Sequence, residues 1–279
     1  MKKSGLFLFI LLLTLTSLSA KAQECPRGDV NNDGQVNISD VTCLIDYLLT
    51  GSWSDEPAPQ DCHEYIDLGL PSGTLWAMCN VGASRPEEYG DYFAWGETEP
   101  KDDYAYENYK WWYFDVNGYR YISKYNTDSY FGPVDDKTEL EPEDDAACVN
   151  WGTLWRMPSQ EQIAELVNSC SWQWTQRNGV LGHLLTGPNG KTMFLPAAGY
   201  YDGSSLDYVG IYGNFWSRTL YTYLPDRAFS IYIDSQYWDS EDFSRYYGHV
   251  VRAVRVSSNR YPQHGKKHVH RQCPPSSNH

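Results

Sequence analysis

Six residues near the N-terminus have side chains and spacing suited to binding a divalent cation. The predicted ligands, at loop positions one, three, five, seven, nine and twelve, are Asp29, Asn31, Asp33, Gln35 (through its backbone carbonyl), Asn37 and Asp40. Glycine occupies position six, where a twelve-residue calcium loop turns sharply. Calcium accepts six to eight hard oxygens at flexible geometry, so the sequence predicts calcium as the cofactor. The alternative is an acidic Asx-rich turn before a helix.

The segment that follows this loop predicts an amphipathic helix. Val41, Leu44, Ile45 and Leu48 recur at helical spacing and form one apolar stripe. The loop closes with aspartate instead of glutamate, and no helical pattern precedes it. In these respects residues 28–49 resemble a dockerin type I repeat, present once where dockerins usually carry two. The resemblance implies attachment to a cohesin-like protein.

The first 22 residues have the pattern of a signal peptide. Lys2 and Lys3 precede an apolar run over residues 6–13, and Ala20-Lys21-Ala22 offers a cleavage site before Gln23. That run is shorter than the roughly 20 apolar residues that a membrane helix needs. The charged residue beside Cys25 disfavours a lipoprotein. We therefore expect a secreted or cell-surface protein without a transmembrane segment.

The charge of the chain disfavours nucleic acid and anionic membranes as partners. The sequence carries 22 basic and 36 acidic residues, for a net charge of −14, and loss of the three leader lysines would bring it to −17. Seven cysteines in an oxidising compartment make some disulfide pairing plausible, and the odd number leaves one unpaired. Their spacing predicts no zinc site.

Composition divides the chain into five parts. After the leader come the calcium module at residues 23–51, a Ser- and Pro-rich linker at 52–62, a larger domain at 63–256, and a basic tail at 257–279 that we expect to be disordered. In the larger domain, strands are predicted at 65–70, 74–81, 91–96, 193–198, 229–233 and 250–256. Long loops are predicted over 101–136.

Two helices are predicted in the larger domain. Ser159 and Gln162 form a capping box that starts a helix whose buried face is Ile163, Leu166 and Val167. A shorter helix is predicted from Pro142, with three acids in its first turn. The Gly-rich segments 199–203 and 210–214 are predicted to be connectors. Together these features predict an α+β fold with few helices.

Several strings in the larger domain resemble the Fibrobacter succinogenes major paralogous domain. They are Asn80-Val81-Gly82-Ala83-Ser84, residues 91–98, Trp155-Arg156-Met157-Pro158, residues 194–199, Phe215-Trp216-Ser217 and residues 251–255. The resemblance implies a C-type-lectin-like fold, a mixed twisted sheet with one or two helices and long loops, shared with formylglycine-generating enzymes. The cysteine pair of those enzymes has no counterpart here, and the resemblance implies adhesion or glycan binding.

Aromatic residues are the candidate ligand contacts of the larger domain. The chain has 23 Tyr and 11 Trp, whose flat rings and polar tips suit stacking on sugar rings. The candidates are Trp111, Trp112, Tyr200, Tyr201, Asp202, Tyr237 and Trp238, with Tyr221 and Tyr223 as a further pair. Trp95, Trp155 and Trp216 are predicted to be core. Arg252 and Arg255 are predicted to pair with buried acids.

The sequence leaves the function open among three possibilities. The first is a noncatalytic exported binding or adhesion protein whose lectin-like domain recognises a glycan or another surface ligand. The second is an accessory component of polysaccharide catabolism that assembles through its dockerin-like module. The third is a hydrolase of O-glycosyl bonds, which needs two carboxylates about 5–10 Å apart. No catalytic residue is identified, so an enzyme is the less favoured reading.

Overall fold

The computed structural model describes residues 63–256. These residues belong to the second of two units into which the chain divides, His63–His279. The predicted leader, calcium loop, linker and tail lie outside the described residues, as do Cys25, Cys43, Cys62 and Cys273. The three described cysteines, Cys79, Cys148 and Cys170, are free thiols. No helix among residues 63–256 is long and apolar enough to cross a membrane.

The described part of the chain is mainly β-structure with two short helices. Helix α1 is Ala146–Trp151 and α2 is Gln160–Ser169. The strands are β1 (Tyr65–Asp67), β2 (Leu75–Ala77), β3 (Tyr92–Phe93), β4 (Trp112–Phe114), β5 (Arg120–Ile122), β6 (Trp155–Arg156), β7 (Ser171–Arg177), β8 (Val180–Thr186), β9 (Thr192–Pro196), β10 (Tyr200–Asp202), β11 (Ser205–Asp207), β12 (Gly213–Leu220), β13 (Arg227–Ile233), β14 (Trp238–Ser244), β15 (His249–Val250) and β16 (Val254–Arg255). This content agrees with an α+β or mainly β fold.

The strands form three sheets and two hairpins. The central sheet has five strands in the order β14-β13-β12-β15-β3, and only β12 and β15 are parallel. A four-stranded sheet runs β1-β2-β16-β6, and a three-stranded meander runs β7-β8-β9. The hairpins are β4-β5 and β10-β11. Each predicted strand overlaps an observed strand. The observed β9 begins one residue before its predicted segment, and β13 begins two residues before its own.

Two apolar cores lie on opposite sides of the central sheet. Side chains alternate between faces along a strand, so Phe215 and Ile231 point into one core, where Ile163 and Leu166 of α2 also lie. Trp216 and Ala228 point into the other core, together with Trp95 and Trp155. Burying each of the large side chains contributes about 1.5–3 kcal/mol. The prediction that the three family-string tryptophans are core is confirmed.

Helix α2 begins where the sequence predicted. The Ser159 hydroxyl accepts from the Gln162 backbone amide at 3.2 Å, and the Gln162 side-chain oxygen accepts from the Ser159 backbone amide at 2.9 Å. This capping box satisfies two backbone donors that the first turn leaves free. Ile163 and Leu166 are fully buried and Val167 packs against the same core. The predicted capping box and buried face are therefore confirmed.

Three local predictions differ from the structure. Residues 142–144 form a 3-10 turn, and α1 begins later because the buried Asp145 carboxylate accepts from the Cys148 amide as its N-cap. The segment 101–136 contains the β4-β5 hairpin, where Tyr113 and Tyr121 stack at 5.4 Å. The predicted connector 199–203 contains β10, because Gly203 (φ +57°) allows a tight turn into β11.

One of the two C-terminal arginines, Arg252, also differs from the prediction. Arg252 is fully buried, but its guanidinium donates to neutral acceptors, the Asn80 side chain at 2.8 Å and the Met78 carbonyl at 3.0 Å. Burial lowers the pKa of Arg252 to about 10. Arg255 lies with its guanidinium carbon 4.4 Å from the centre of the Tyr65 ring. Sequence cannot distinguish a carboxylate partner from a carbonyl partner, since the carbonyls belong to residues of any type.

Candidate functional site

The structure separates the predicted ligand-binding residues into different places. Each adjacent aromatic pair is divided, because neighbouring residues of an extended segment point to opposite sides. Trp112 is 8% exposed and lies in the core, with the Arg120 guanidinium 4.1 Å from its ring centre. Trp111 is half-buried, and the Lys110 ammonium lies 4.2 Å from its ring centre. Both tryptophans therefore already have a cation over the ring.

Tyr200 and Tyr201 lie on opposite sides of β10. Tyr201 packs into the core, where its ring is stacked on Tyr104 at 5.2 Å and meets the edge of Tyr92 at 5.0 Å. Tyr200 faces the other way, on the same side of the strand as the exposed Asp202. Of this predicted group, Tyr200 and Asp202 are thus placed to meet a ligand.

Tyr237 and Trp238 divide in the same way. Trp238 stacks on Trp172 with ring centres 5.9 Å apart, and the buried His183 ring meets Trp238 edge-on at 5.2 Å. His183 bonds the Asp234 carbonyl through Nε2 at 2.7 Å, and burial lowers its pKa. Tyr237 is 44% exposed and lies against Tyr232. The separate pair Tyr221 and Tyr223 lies 5.7 Å apart, with Tyr223 83% exposed.

A continuous run of tyrosine rings crosses one side of the molecule. We call it the tyrosine face; its members are Tyr200, Tyr208, Tyr212, Tyr232, Tyr237 and Tyr247. Successive ring centres are 5.3 Å (247 to 200), 5.8 Å (200 to 208), 4.8 Å (208 to 212), 5.5 Å (212 to 232) and 6.0 Å (232 to 237) apart. Every member is half-buried or exposed. The face thus presents several partly accessible rings in one row.

Tertiary pairing brings these tyrosines together from separate elements. Tyr232 lies on β13, Tyr200 on β10, and Tyr208 and Tyr212 in the segment between β11 and β12. The Tyr212 carbonyl accepts from the Gly199 amide at 2.7 Å, which holds that segment beside the start of β10. Gly199 has φ +64°, and a Cβ atom there would be 2.1 Å from the Asp207 carbonyl oxygen. Only glycine permits this close approach of the two backbones.

Carboxylates border the tyrosine face at the β14 end. The Tyr237 hydroxyl donates to Glu241 at 2.9 Å and to Asp239 at 3.2 Å, and the Glu241 bond is the main reason that the pKa of Tyr237 rises to about 12. The Tyr232 hydroxyl donates to Asp234 at 3.1 Å. The face therefore combines flat apolar rings with hydroxyl donors and carboxylate acceptors, a combination that suits the apolar and polar sides of a sugar.

Two fully buried polar residues lie on the central sheet beneath this face. Asn214 pairs with Tyr232 across β12 and β13, and neither its side-chain oxygen nor its nitrogen has a partner within the described residues. His249 lies on β15, with Nδ1 3.2 Å from the Ser230 hydroxyl, and its Nε2 also lacks a described partner. Each such unpaired buried group costs about 1–3 kcal/mol. The unpaired atoms of both residues therefore destabilise the fold.

Aromatic rings surround His249 and hold it neutral. Trp216 is stacked on it with ring centres 4.0 Å apart, Phe243 meets it edge-on at 5.1 Å, and Tyr200 lies at 6.1 Å. Burial in this apolar setting lowers the pKa of His249 well below its usual range. The imidazole thus keeps one nitrogen as a hydrogen-bond acceptor at neutral pH.

No metal cluster is found in residues 63–256. No group of three or more His, Cys, Asp and Glu is positioned there to hold a metal. Burial raises the pKa of the Asp145 carboxyl group, which is bonded to Arg156 at 2.7 Å. Its carboxylate caps α1, which is a structural role.

Sequence reasoning missed most of the site. Tyr208, Tyr212, Asn214 and His249 stand in no aromatic doublet and in no recognisable motif, and the doublet Tyr246-Tyr247 was not among the candidates. The sequence could have indicated Tyr232, because it alternates with Ile231 and Ile233. Their side chains point into the core, so that of Tyr232 points away from it. The other residues could be grouped only once the strand pairing was known.

Comparison with known proteins gives one family match. The fold described above is a β-rich domain with few helices, and its first strand begins at Tyr65. A model of the dockerin type I domain matches residues 27–64, which include the whole predicted calcium loop. Dockerin type I domains generally bind calcium and imply a cohesin partner, and proteins that carry them are typically extracellular or on the cell surface. No curated protein and no solved structure matches the chain.

The dockerin match supports one of the two sequence resemblances. It covers residues 28–49, which were predicted as a dockerin-like repeat, and it continues through residues 52–62 up to residue 64. The match suggests a calcium-binding anchoring module of the kind found in cellulosome-like systems. The six predicted calcium ligands, Asp29 to Asp40, lie outside the described residues, so their individual roles stay predictions.

Proposed function

We propose that this chain is an exported, noncatalytic binding protein that recognises a glycan through the tyrosine face and is anchored by its dockerin domain. The observation that carries the proposal is the uninterrupted row of partly exposed tyrosine rings bordered by Asp234, Asp239 and Glu241. Tyrosine presents a large rigid surface at low conformational-entropy cost, which favours its use in recognition. The lectin-like fold implied by the sequence resemblance belongs to the same proposal.

The length of the face favours an extended ligand. Five successive spacings of 4.8–6.0 Å join the six rings, so several sugar units could each meet a ring. Acidic side chains at its edge would repel uronic acids and sulfated sugars. The proposed ligand is therefore a neutral polysaccharide or oligosaccharide.

A second candidate function is an accessory role in polysaccharide catabolism. The observation that favours it is the dockerin match at residues 27–64, since a cohesin partner would place the chain in an assembly with other proteins. In that role the tyrosine face would hold the assembly on its substrate. A hydrolase of O-glycosyl bonds is the remaining alternative, and sustained release of reducing sugar by the purified chain would establish it.

Isothermal titration of the full chain with a panel of neutral oligosaccharides tests the proposal. Tyr208→Ala and Tyr212→Ala should each weaken binding about tenfold or more, which corresponds to about 1.4 kcal/mol. Tyr130→Ala is the matched control, because Tyr130 is 82% exposed and lies outside the face. Equal binding by all three variants, or no binding by the unaltered chain, would contradict the proposal.

Calcium separates the two candidate functions. Sugar binding should persist in the presence of a chelator if the tyrosine face alone recognises the glycan. A pull-down with a cohesin domain should require calcium if the dockerin domain mediates assembly. Loss of sugar binding on chelation would indicate that the calcium module, and not the tyrosine face, binds the sugar.

A further inference from the structure

Asn214 is the least satisfied polar residue of the described structure. Its side chain is fully buried, and neither the amide oxygen nor the amide nitrogen has a hydrogen-bond partner among residues 63–256. Most buried polar groups in native proteins are paired, so an amide without any partner requires an explanation. Asn80 provides a contrast: it is equally buried, yet its nitrogen donates to the Tyr89 carbonyl and its oxygen accepts from Arg252.

His249 is a second unsatisfied residue on the same face of the sheet. Phe215 pairs with Val250 across the parallel strands β12 and β15, so the preceding residues, Asn214 and His249, are also neighbours. Phe215 and Val250 point into the core beneath, and strand alternation therefore directs Asn214 and His249 to the side of the tyrosine face. The Asn214 side-chain amide and the His249 Nε2 atom thus lie on the same side of the central sheet.

The available atoms form a hydroxyl-binding set. The Ser230 hydroxyl lies 3.3 Å from the Ile231 carbonyl and 3.2 Å from Nδ1 of His249; when the hydroxyl donates to the carbonyl, it accepts from Nδ1–H of His249. In that tautomer the His249 Nε2 atom is an acceptor. The Asn214 amide adds two donors and an acceptor, so together they can both accept from and donate to sugar hydroxyls.

Side chains of the tyrosine face lie close to this set. The ring centre of Tyr200 is 6.1 Å and that of Tyr247 is 6.4 Å from the His249 ring, and both tyrosines are half-buried. Tyr232, directly opposite Asn214, is also half-buried. Rotation of such partly exposed side chains is fast and local, so the polar atoms can be reached without unfolding of the sheet.

We propose that Asn214 and His249 form an inner subsite that takes neighbouring hydroxyls at the end of a neutral glycan, entering between the rings of the tyrosine face. This inference rests on the proposed function and specifies its ligand as an uncharged sugar with free terminal hydroxyls. The subsite explains why two costly residues are retained below a row of tyrosines. A trapped water molecule is the competing occupant.

Asn214→Leu tests the subsite, with Asn80→Leu as the matched control. Leucine keeps the approximate size of asparagine and removes both polar atoms. For Asn214→Leu we expect the Tm to stay constant or rise, and the affinity for neutral oligosaccharides in titration calorimetry to fall at least tenfold. Asn80→Leu should lower the Tm, because it leaves the Tyr89 carbonyl and Arg252 without their partner.

His249→Phe is a second variant, which tests the subsite independently if Asn214→Leu fails to fold. It keeps an aromatic ring against Trp216 and removes Nε2, so it should also reduce affinity at least tenfold. An oligosaccharide whose terminal hydroxyls are methylated should bind the unaltered chain weakly. Its affinity should equal that of the unmethylated oligosaccharide for the two variants. That agreement would support the subsite.

The outcomes separate the subsite from the proposed function. If Tyr208→Ala weakens binding while Asn214→Leu and His249→Phe bind as the unaltered chain does, the tyrosine face binds glycan and the inner subsite is refuted. The same variants with a lowered Tm and unchanged affinity would indicate a trapped water only. If the unaltered chain binds none of the oligosaccharides, the proposed function itself fails.

Discussion

At the scale of single residues, this domain buries charged and polar groups to an unusual degree. Arg245, Arg252, His183 and His249 are all at most 1% exposed. Arg245 bonds the Tyr109 hydroxyl at 2.8 Å and the Pro225 carbonyl at 2.9 Å, and its guanidinium lies 4.7 Å from the centre of the Trp95 ring. Neutral acceptors and aromatic rings thus take the place of water around the Arg245 guanidinium.

Replacement of Arg245 by methionine should destabilise the domain strongly. The change leaves the Tyr109 hydroxyl and the Lys124, Tyr125 and Pro225 carbonyls without their donor. We expect the free energy of unfolding in urea to fall by about 3 kcal/mol or more. Arg227→Met is the control, because Arg227 pairs with Asp242 on a partly exposed surface and should cost about 1 kcal/mol at most. Equal losses in both variants would refute the argument.

His249 should make the stability of the domain depend on pH. Burial lowers the pKa of His249 in the folded state below its unfolded-state value of 6.5. Below pH 6.5 the unfolded chain therefore binds a proton that the folded chain does not bind. Stability from this group is therefore present above pH 6.5 and is lost as the pH falls. From pH 6.5 to pH 5 the loss is about 2 kcal/mol.

His249→Phe should remove this part of the pH dependence. We expect urea unfolding curves at pH 7.5 and pH 5 to differ less for the variant than for the unaltered domain. His183, whose pKa burial also lowers, remains in both proteins and supplies the residual slope. Identical slopes in the two proteins would show that the pKa of His249 is the same in the folded and unfolded states.

At the scale of elements, the β10-β11 hairpin positions the tyrosine face. Gly199 precedes β10 in the left-handed region, and its backbone lies against Asp207 at the end of β11. This contact directs Tyr200 toward Tyr208 on one side and Tyr247 on the other. The hairpin is therefore the element through which the backbone controls the spacing of the rings.

Gly199→Ala should disturb both the hairpin and glycan binding. Its Cβ atom would be 2.1 Å from the Asp207 carbonyl oxygen, so one of the two backbones must move. Gly190→Ala is a close control, because Gly190 has φ +81° and a Cβ there meets nothing within 4 Å. We expect about a 1 kcal/mol loss of stability for Gly190→Ala, from the left-handed backbone alone, and a clearly larger one for Gly199→Ala. Glycan affinity should fall only for Gly199→Ala.

At the scale of the whole molecule, the dockerin match and the domain that carries the proposed glycan site are successive parts of the chain. The dockerin match ends at residue 64 and β1 begins at Tyr65. The chain as a whole is acidic, with a net charge of −14. An acidic protein suits a calcium-rich exterior and a neutral polysaccharide, and it disfavours binding to anionic surfaces.

Asp29→Ala combined with Asp33→Ala should abolish the response of the full chain to calcium. These residues would supply carboxylate ligands at loop positions one and five, and a ligand that binds only the folded state raises its apparent stability. Titration calorimetry with millimolar calcium should give heat for the unaltered chain and none for the double variant. Binding of neutral oligosaccharides should be equal in both, and a calcium response retained by the variant would refute the predicted ligand set.

Features that depend on neighbours in the chain could be predicted from the sequence. The dockerin-like loop, the capping box at Ser159 and Gln162, the alternation of Phe229, Ile231 and Ile233, and the small number of helices all follow from local spacing. Local hydrogen bonds and strand periodicity act over a few residues, so a linear pattern can reveal them.

The grouping of the aromatic residues follows from the tertiary structure. Sequence doublets such as Tyr200-Tyr201 suggested paired rings, but a strand sends adjacent side chains to opposite sides, and Tyr201 packs against the core. The tyrosine face joins residues from β10, β13 and the segment before β12, and Asn214 and His249 are neighbours across two parallel strands. Contacts between residues distant in the chain depend on strand order and register, and no local spacing encodes these.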